Sequence, residues 1–180
     1  RGLGMVIDFR TRPPYKSFVT KGNFFPRPME DDFERPEDVP GIYRDSIGIE
    51  SARHGDFRLY MDELSASGID MQVVQGRKVR PGMAAVDNED VCRLQMLYPK
   101  QFISFPAVDP ADVDGAVAEI EYYVKTYGIK GIAMEPGWSM PPVYVDDRKL
   151  DPVYAACEEH GLICAFTLSV LAGEDLSYCN

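Results

Sequence analysis

Apolar positions along the chain follow two periods. From Val113 to Val124 the residues Val113, Val117, Ile120 and Val124 recur three or four apart, which places them on one stripe of a helix. Short runs such as "MQVVQ" and "FISFPAV" are instead apolar almost throughout. Three segments repeat one order of helical residues, glycine, aliphatic residue and strand: "MDELSASGIDMQVVQ" around Gly68, "YYVKTYGIKGIAM" around Gly128 and "ACEEHGLICAF" around Gly161. A fourth, "QMLYPKQFISFPAV", has Tyr98-Pro99 where the others have glycine. Glycine just past the last helical turn takes the left-handed conformation that closes the helix, and proline cannot continue one. The stops recur at about 30 residues, the length of a β-α unit. Asp109-Pro110 or Asp112 opens the helix through Val124. Asp151-Pro152 opens the next, with Val153, Ala156 and Cys157 inward.

This beat predicts strands at 5–10, 69–76, 102–108, 130–135 and 162–168. They are short and apolar on both faces, as parallel strands covered by helices are. The class is α/β with strict alternation. Two architectures satisfy it: a five-stranded doubly wound sheet, complete at this length, or a (β/α)₈ barrel, which typically needs about 250 residues. In the second case the chain supplies only the first five strands. Periodicity does not choose between them.

Residues 11–50 break the beat. They carry Pro13, Pro14, Pro26, Pro28, Pro36 and Pro40, with Tyr15, Phe18, Phe24, Phe25, Phe33 and Tyr43 between. Ordinary β-α loops run about 2–6 residues, and the aromatic content argues against simple disorder. The segment is expected to be a lid over the carboxyl ends of the strands within a single domain, 1–180. The alternative is an arm that grips another subunit.

Composition narrows the partners. The chain has 180 residues, 45% of them apolar, and a net charge of −10, which disfavours nucleic acid or an anionic membrane. Cys92, Cys157, Cys164 and Cys179 include no C-x-x-C pair and lie in apolar segments, so reduced thiols of a cytoplasmic protein are expected. No apolar run reaches membrane-spanning length, and "RGLGMVID" lacks the apolar core of a secretory signal.

The stretch "VIDFRTRPP" raises the chemical question, because an apolar strand ends in two arginines. On an extended chain Arg10 and Arg12 share a face. In parallel α/β folds the ligand side is at the carboxyl ends of the strands, where Arg10, Arg12, Gln75, Arg77, Asp109, Glu135, Trp138 and Thr167 also fall. Arginine forks bind carboxylates bidentately, so Arg10, Arg12 and Arg77 point to a small anionic or carboxylated molecule, with Trp138 and Thr167 as further binding candidates. Alternatively they pair with the chain's own acids, such as Glu30, Asp31, Asp32 and Glu34. Glu135 is a candidate general acid or base, or else an ion-pair partner of these arginines. Asp8, an acid inside an apolar strand, is the second catalytic candidate. Other chemistries lack their parts. His54 and His160 fall in or beside helices, "PGWSMPP" is not a nucleophile elbow, and no phosphate-binding glycine loop follows a strand. No histidine–carboxylate spacing predicts a metal site either.

In order, "MVIDFRTRPP", "MDELSASGIDMQVVQGR", "LYPKQFISFPAVDP", "YGIKGIAMEPGW", "LDPVYAACEEHGLICAF" and "LAGEDLSYCN" resemble the amidohydrolase superfamily. The closest branch contains the aminocarboxymuconate semialdehyde and resorcylate decarboxylase type enzymes. The resemblance spans almost the whole chain outside 13–50, and "YPKQFISFPAVDP" is its most specific piece. It implies a (β/α)₈ TIM-type barrel of which this chain is the N-terminal part, with the next helix and three strands lying beyond Asn180. It also implies a divalent metal such as zinc, held at the end of strand 1 by a D-x-H-x-H segment. Here those histidine positions hold Arg10 and Arg12, the strand-5 ligand position falls at Phe166 or Thr167, and the fourth strand reads Ala133-Met134-Glu135. The resemblance therefore implies a hydrolase or carboxy-lyase acting on a small carboxylated substrate, with an atypical or lost metal site. The alternative is a non-catalytic relative that binds an anion or serves as a partner subunit. Exposed edges on strands 1 and 5 of a partial barrel would favour a homo-oligomer.

Overall fold

The computed structural model describes residues 4–19 and 50–167. Five strands, β1 (Ile7–Thr11), β2 (Met71–Gln75), β3 (Phe102–Phe105), β4 (Gly131–Met134) and β5 (Ile163–Phe166), alternate with helices. The helices are α1 (Glu50–His54), α2 (Phe57–Ser67), α3 (Asn88–Leu97), α4 (Val113–Tyr127) and α5 (Asp151–Glu159). β1, β2 and β3 pair in parallel, as do β4 and β5. A parallel bridge between Ala107 and Ala133 joins the two sets, with the Val108 N–H donating to the Ala133 carbonyl at 3.0 Å. Spatial order thus follows chain order. A doubly wound sheet reverses its order at a switch point and a barrel does not, so this is an arc of a (β/α) barrel, about five strands of it.

Local chemistry sets the element ends. Gly68, Gly128 and Gly161 all have positive φ, as their helix-closing role requires. Asp112, not Asp109, caps α4, its carboxylate accepting from the Gly115 N–H. Asp151 is the first residue of α5, with Pro152 in its first turn.

The arc has two faces. Outside, Ile120, Ile132, Met134, Val153 and Cys157 pack β4 against α4 and α5, while Val74, Phe102, Val91 and Leu94 pack β2 and β3 against α3. Inside, Val73, Phe105 and Ala165 meet across the arc, and Phe9 stands edge-on to Phe105 at 5.5 Å. Gly131 makes room for this inner layer, because a Cβ there would lie 2.5 Å from the Phe105 ring.

β1 departs from the expected regular extension. Phe9 pairs with Val73, but Val74 pairs with Thr11, so Arg10 is an extra residue at φ 77°. This is a β-bulge with its first residue in the left-handed region. Strict alternation would have put Asp8, Arg10 and Arg12 together on the helix-facing side, opposite Phe9. The bulge resets the alternation after Phe9, so Arg10 and Arg12 do meet at one spot, but not by simple strand alternation. The two arginines converge for a different reason. Most of the expected 11–50 lid lies outside the described residues. Its described start is anchored, with Phe18 fully buried in the outer layer and Lys16 paired to Asp90 at 3.0 Å.

Candidate active site

Three strands deliver charge to one place. Glu135 directly follows β4, whose four residues are all buried, and is itself 6% exposed. Arg77 lies two residues past β2 and is 3% exposed; its Nε donates to Glu135 Oε2 at 3.0 Å. Its Nη1 donates to the Ala84 carbonyl at 2.7 Å, and its Cζ sits 5.1 Å from the centre of the Trp138 ring. Trp138 belongs to the 3₁₀ turn Pro136–Trp138 that continues from Glu135. An ion pair, a carbonyl and an aromatic face therefore fix Arg77. From β1, Arg10 Nη2 and Arg12 Nη2 lie 3.8 and 4.0 Å from Glu135 Oε1. Arg10 is the most exposed of the three, with 41% of its side chain accessible.

One carboxylate among three guanidiniums leaves a positive field. Burial, then Arg10 and Arg77, push the Arg12 pKa down to about 10, and Glu135 only partly opposes them. Arg12 stays charged at neutral pH. The set does not fit a divalent metal. Guanidinium has no lone pair to donate. A divalent cation about 4 Å from one guanidinium would meet a repulsion of roughly 8 kcal/mol before further screening, at an effective dielectric near 20. Among the described residues no three histidine, cysteine or acidic side chains are grouped to hold a metal ion.

The other expected site residues are placed as follows. Asp8 pairs in register with Gln72, whose side chain accepts from Tyr60 on α2 at 2.6 Å, so Asp8 stands on the helix side, away from Glu135. Burial pushes the Tyr60 pKa up to about 12, and Asp8 adds to this. Thr167 donates its N–H to the Met134 carbonyl at 2.9 Å, and alternation after inward Ala165 puts it on the inner side. Asp109 turns to its own loop, accepting from the Ala111 N–H at 2.9 Å. His54 and His160 pair with Glu50 and Glu121. Cys92 and Cys157 are buried free thiols and Cys164 is half-buried; Cys179 lies outside the described residues.

Sequence reasoning missed Asn88. Its side-chain amide donates to the Ala107 carbonyl at 2.8 Å and accepts from the Ala107 N–H at 2.7 Å. An asparagine ahead of the helix that Tyr98-Pro99 ends reads as no more than a cap, so the sequence carries no signal for this contact. A crevice of about 560 Å³ opens beside it, lined by Arg77, Lys78, Asn88, Asp109, Glu119 and Tyr123 among others. It shares Arg77 with the charged cluster but lacks Arg10, Arg12 and Glu135.

The amidohydrolase family profile matches residues 7–176. The chain belongs to the amidohydrolase family. Among solved structures, an uncharacterized TIM-barrel protein from Bordetella bronchiseptica is similar at 30% identity and a TM-score of 0.76, over 97% of this chain and 59% of that one. The 5-carboxyvanillate decarboxylase of Sphingomonas paucimobilis is similar at 20% identity and a TM-score of 0.56, over 98% and 57%. That of Novosphingobium aromaticivorans, which holds manganese, is similar at 18% identity and a TM-score of 0.55, over 89% and 49%. The last two likenesses speak for the fold. The chain spans about half to three-fifths of the length of these structures. No curated protein matches it. Among the described residues no helix is long and apolar enough to cross a membrane.

Proposed function

We propose that this amidohydrolase-family chain contributes the anion-binding half of a hydrolase or carboxy-lyase acting on a small carboxylated substrate. One observation carries this reading: three guanidiniums from two strands converge on a single buried carboxylate at the carboxyl ends of the strands. Family membership supports the reaction kind, and the rim of a parallel barrel is where such enzymes place their chemistry. In this scheme Arg10, the accessible guanidinium, receives the substrate carboxylate. Arg12 and Arg77 supply the positive field that stabilises negative charge developing as the scissile bond breaks. Glu135 orients the arginines, which deepens its part beyond a bare acid or base.

Incubation with 2,6-dihydroxybenzoate labelled at its carboxyl carbon, with released carbon dioxide followed by mass spectrometry, tests the carboxy-lyase arm. Release that Arg10→Gln abolishes supports it. Neither binding nor release across a panel of aromatic carboxylates and their amides would remove the proposal. A second reading, an anion-binding relative without turnover, draws on the same cluster. Glu135 is surrounded by three guanidiniums, and both histidines are engaged elsewhere. Binding of the carboxylate without product would select it.

A further inference from the structure

We infer that the mouth of this arc seats an oxyanion on Arg10, and that the β1 bulge exists to present that guanidinium in place of a divalent-cation site. This deepens the proposed function and rests on its reading of the cluster. Two independent observations carry it.

The first is backbone. Arg10 holds φ 77° inside a strand, a conformation that L-residues other than glycine, asparagine and aspartate rarely adopt. Glycine would relieve it, yet the position carries one of the longest side chains, and one that stays charged. Bulges of this kind re-aim side chains beside active sites. Here the extra residue carries Thr11 to the helix side, where its hydroxyl donates to the Val73 carbonyl at 3.4 Å, and lets both arginines address Glu135 Oε1.

The second is the quality of the contacts. Arg77 satisfies Glu135 with a hydrogen bond at 3.0 Å, whereas Arg10 stands 3.8 Å away, beyond hydrogen-bond distance, with 41% of its side chain open to solvent. An incoming carboxylate can take the Arg10 fork without breaking a hydrogen bond in the cluster. Arginine's planar fork matches a carboxylate in two parallel bonds, which lysine cannot copy. A metal ion would instead meet three cations and a carboxylate already engaged. The ligand class is therefore a forked oxyanion, carboxylate first.

Calorimetric titration of the whole protein with 2,6-dihydroxybenzoate, inorganic phosphate and manganese chloride separates the possibilities. The carboxylate should bind. Its dissociation constant should rise about tenfold or more in Arg10→Gln and remain weakened in Arg10→Lys, which keeps charge but loses the fork. Manganese at about 1 mM should give neither binding heat nor thermal stabilisation. Stoichiometric manganese binding that Glu135→Gln abolishes would overturn the inference while leaving the proposed function standing. Carboxylate and phosphate affinity indifferent to both Arg10 variants would overturn it too. Arg10-dependent phosphate binding, with no response to any aromatic carboxylate, would keep the oxyanion seat and sink the proposed function. Arg10→Lys retains the long cationic side chain and so guards against a folding artefact in Arg10→Gln.

Discussion

The two faces of the strand arc obey different rules. On the outer face the residues are apolar, close-packed and regular; Ile132 and Val153 are fully buried, and the register from β4 to β5 runs without interruption. On the inner face, at the carboxyl rim, like charges crowd together, one strand is bulged, and one residue holds an unfavourable φ. Burial and dispersion stabilise the outer face. The rim costs stability, and that cost is what a binding site is expected to carry. The contrast teaches where to look for function: at the place where local rules are broken together.

Breaking the Arg77–Glu135 pair should give the largest effect. Arg77→Leu leaves a buried carboxylate with only two distant guanidiniums and removes the contact on Trp138, so a loss of about 3–5 kcal/mol is expected. Urea unfolding measures it; a loss under 1 kcal/mol would mean Glu135 finds water or another partner. On the outer face, Ile132→Ala should cost about 2–4 kcal/mol through lost burial and a cavity. Anion affinity, read by calorimetry, should stay unchanged in whatever fraction remains folded.

The sign should reverse at the bulge. Arg10→Gly removes the left-handed strain and one of three crowded charges, so stability should rise by up to about 1 kcal/mol while anion binding falls. A destabilised Arg10→Gly would mean that the guanidinium holds the rim together rather than straining it. The smallest effect concerns the clip at the start of the long connection. Burial alone would raise the Asp90 pKa, but hydrogen bonds from Lys16 and the Ser17 N–H outweigh it and hold the carboxyl below its ordinary value. A depressed carboxyl contributes stability that is present above its unfolded pKa and lost as pH falls through the native one. The melting temperature of wild type should therefore exceed that of Asp90→Asn at neutral pH, with the gap narrowing as pH falls below the ordinary carboxyl range. A gap that does not narrow on acidification would assign the clip to something other than ionised Asp90.

What was legible in the chain follows the same division. Helix stops at Gly68, Gly128 and Gly161, the inward stripe of α4 and five parallel strands could be read, because each rests on local conformation and a single period. The meeting of Arg10, Arg12, Arg77 and Glu135 was half legible. Their common rim followed from the fold, but which face each occupied did not, since a one-residue bulge inverts every later side chain and no residue at 10 or 11 announces one. Asp8 shows the cost: as a catalytic candidate it belongs beside Glu135, yet it stands on the helix side of the sheet. Asn88 was invisible for another reason. Its partner is the backbone of Ala107, and backbone partners leave no mark in the sequence.

The Ala107–Ala133 bridge also divides the arc in two. It is the seam where β1–β3 meet β4–β5, and Asn88 braces it by gripping the same Ala107. All three arginines belong to one side of that seam and Glu135 to the other, so the ion pair between them is a clasp drawn across a joint. A change of charge at the rim therefore bears directly on contacts that join the two strand sets.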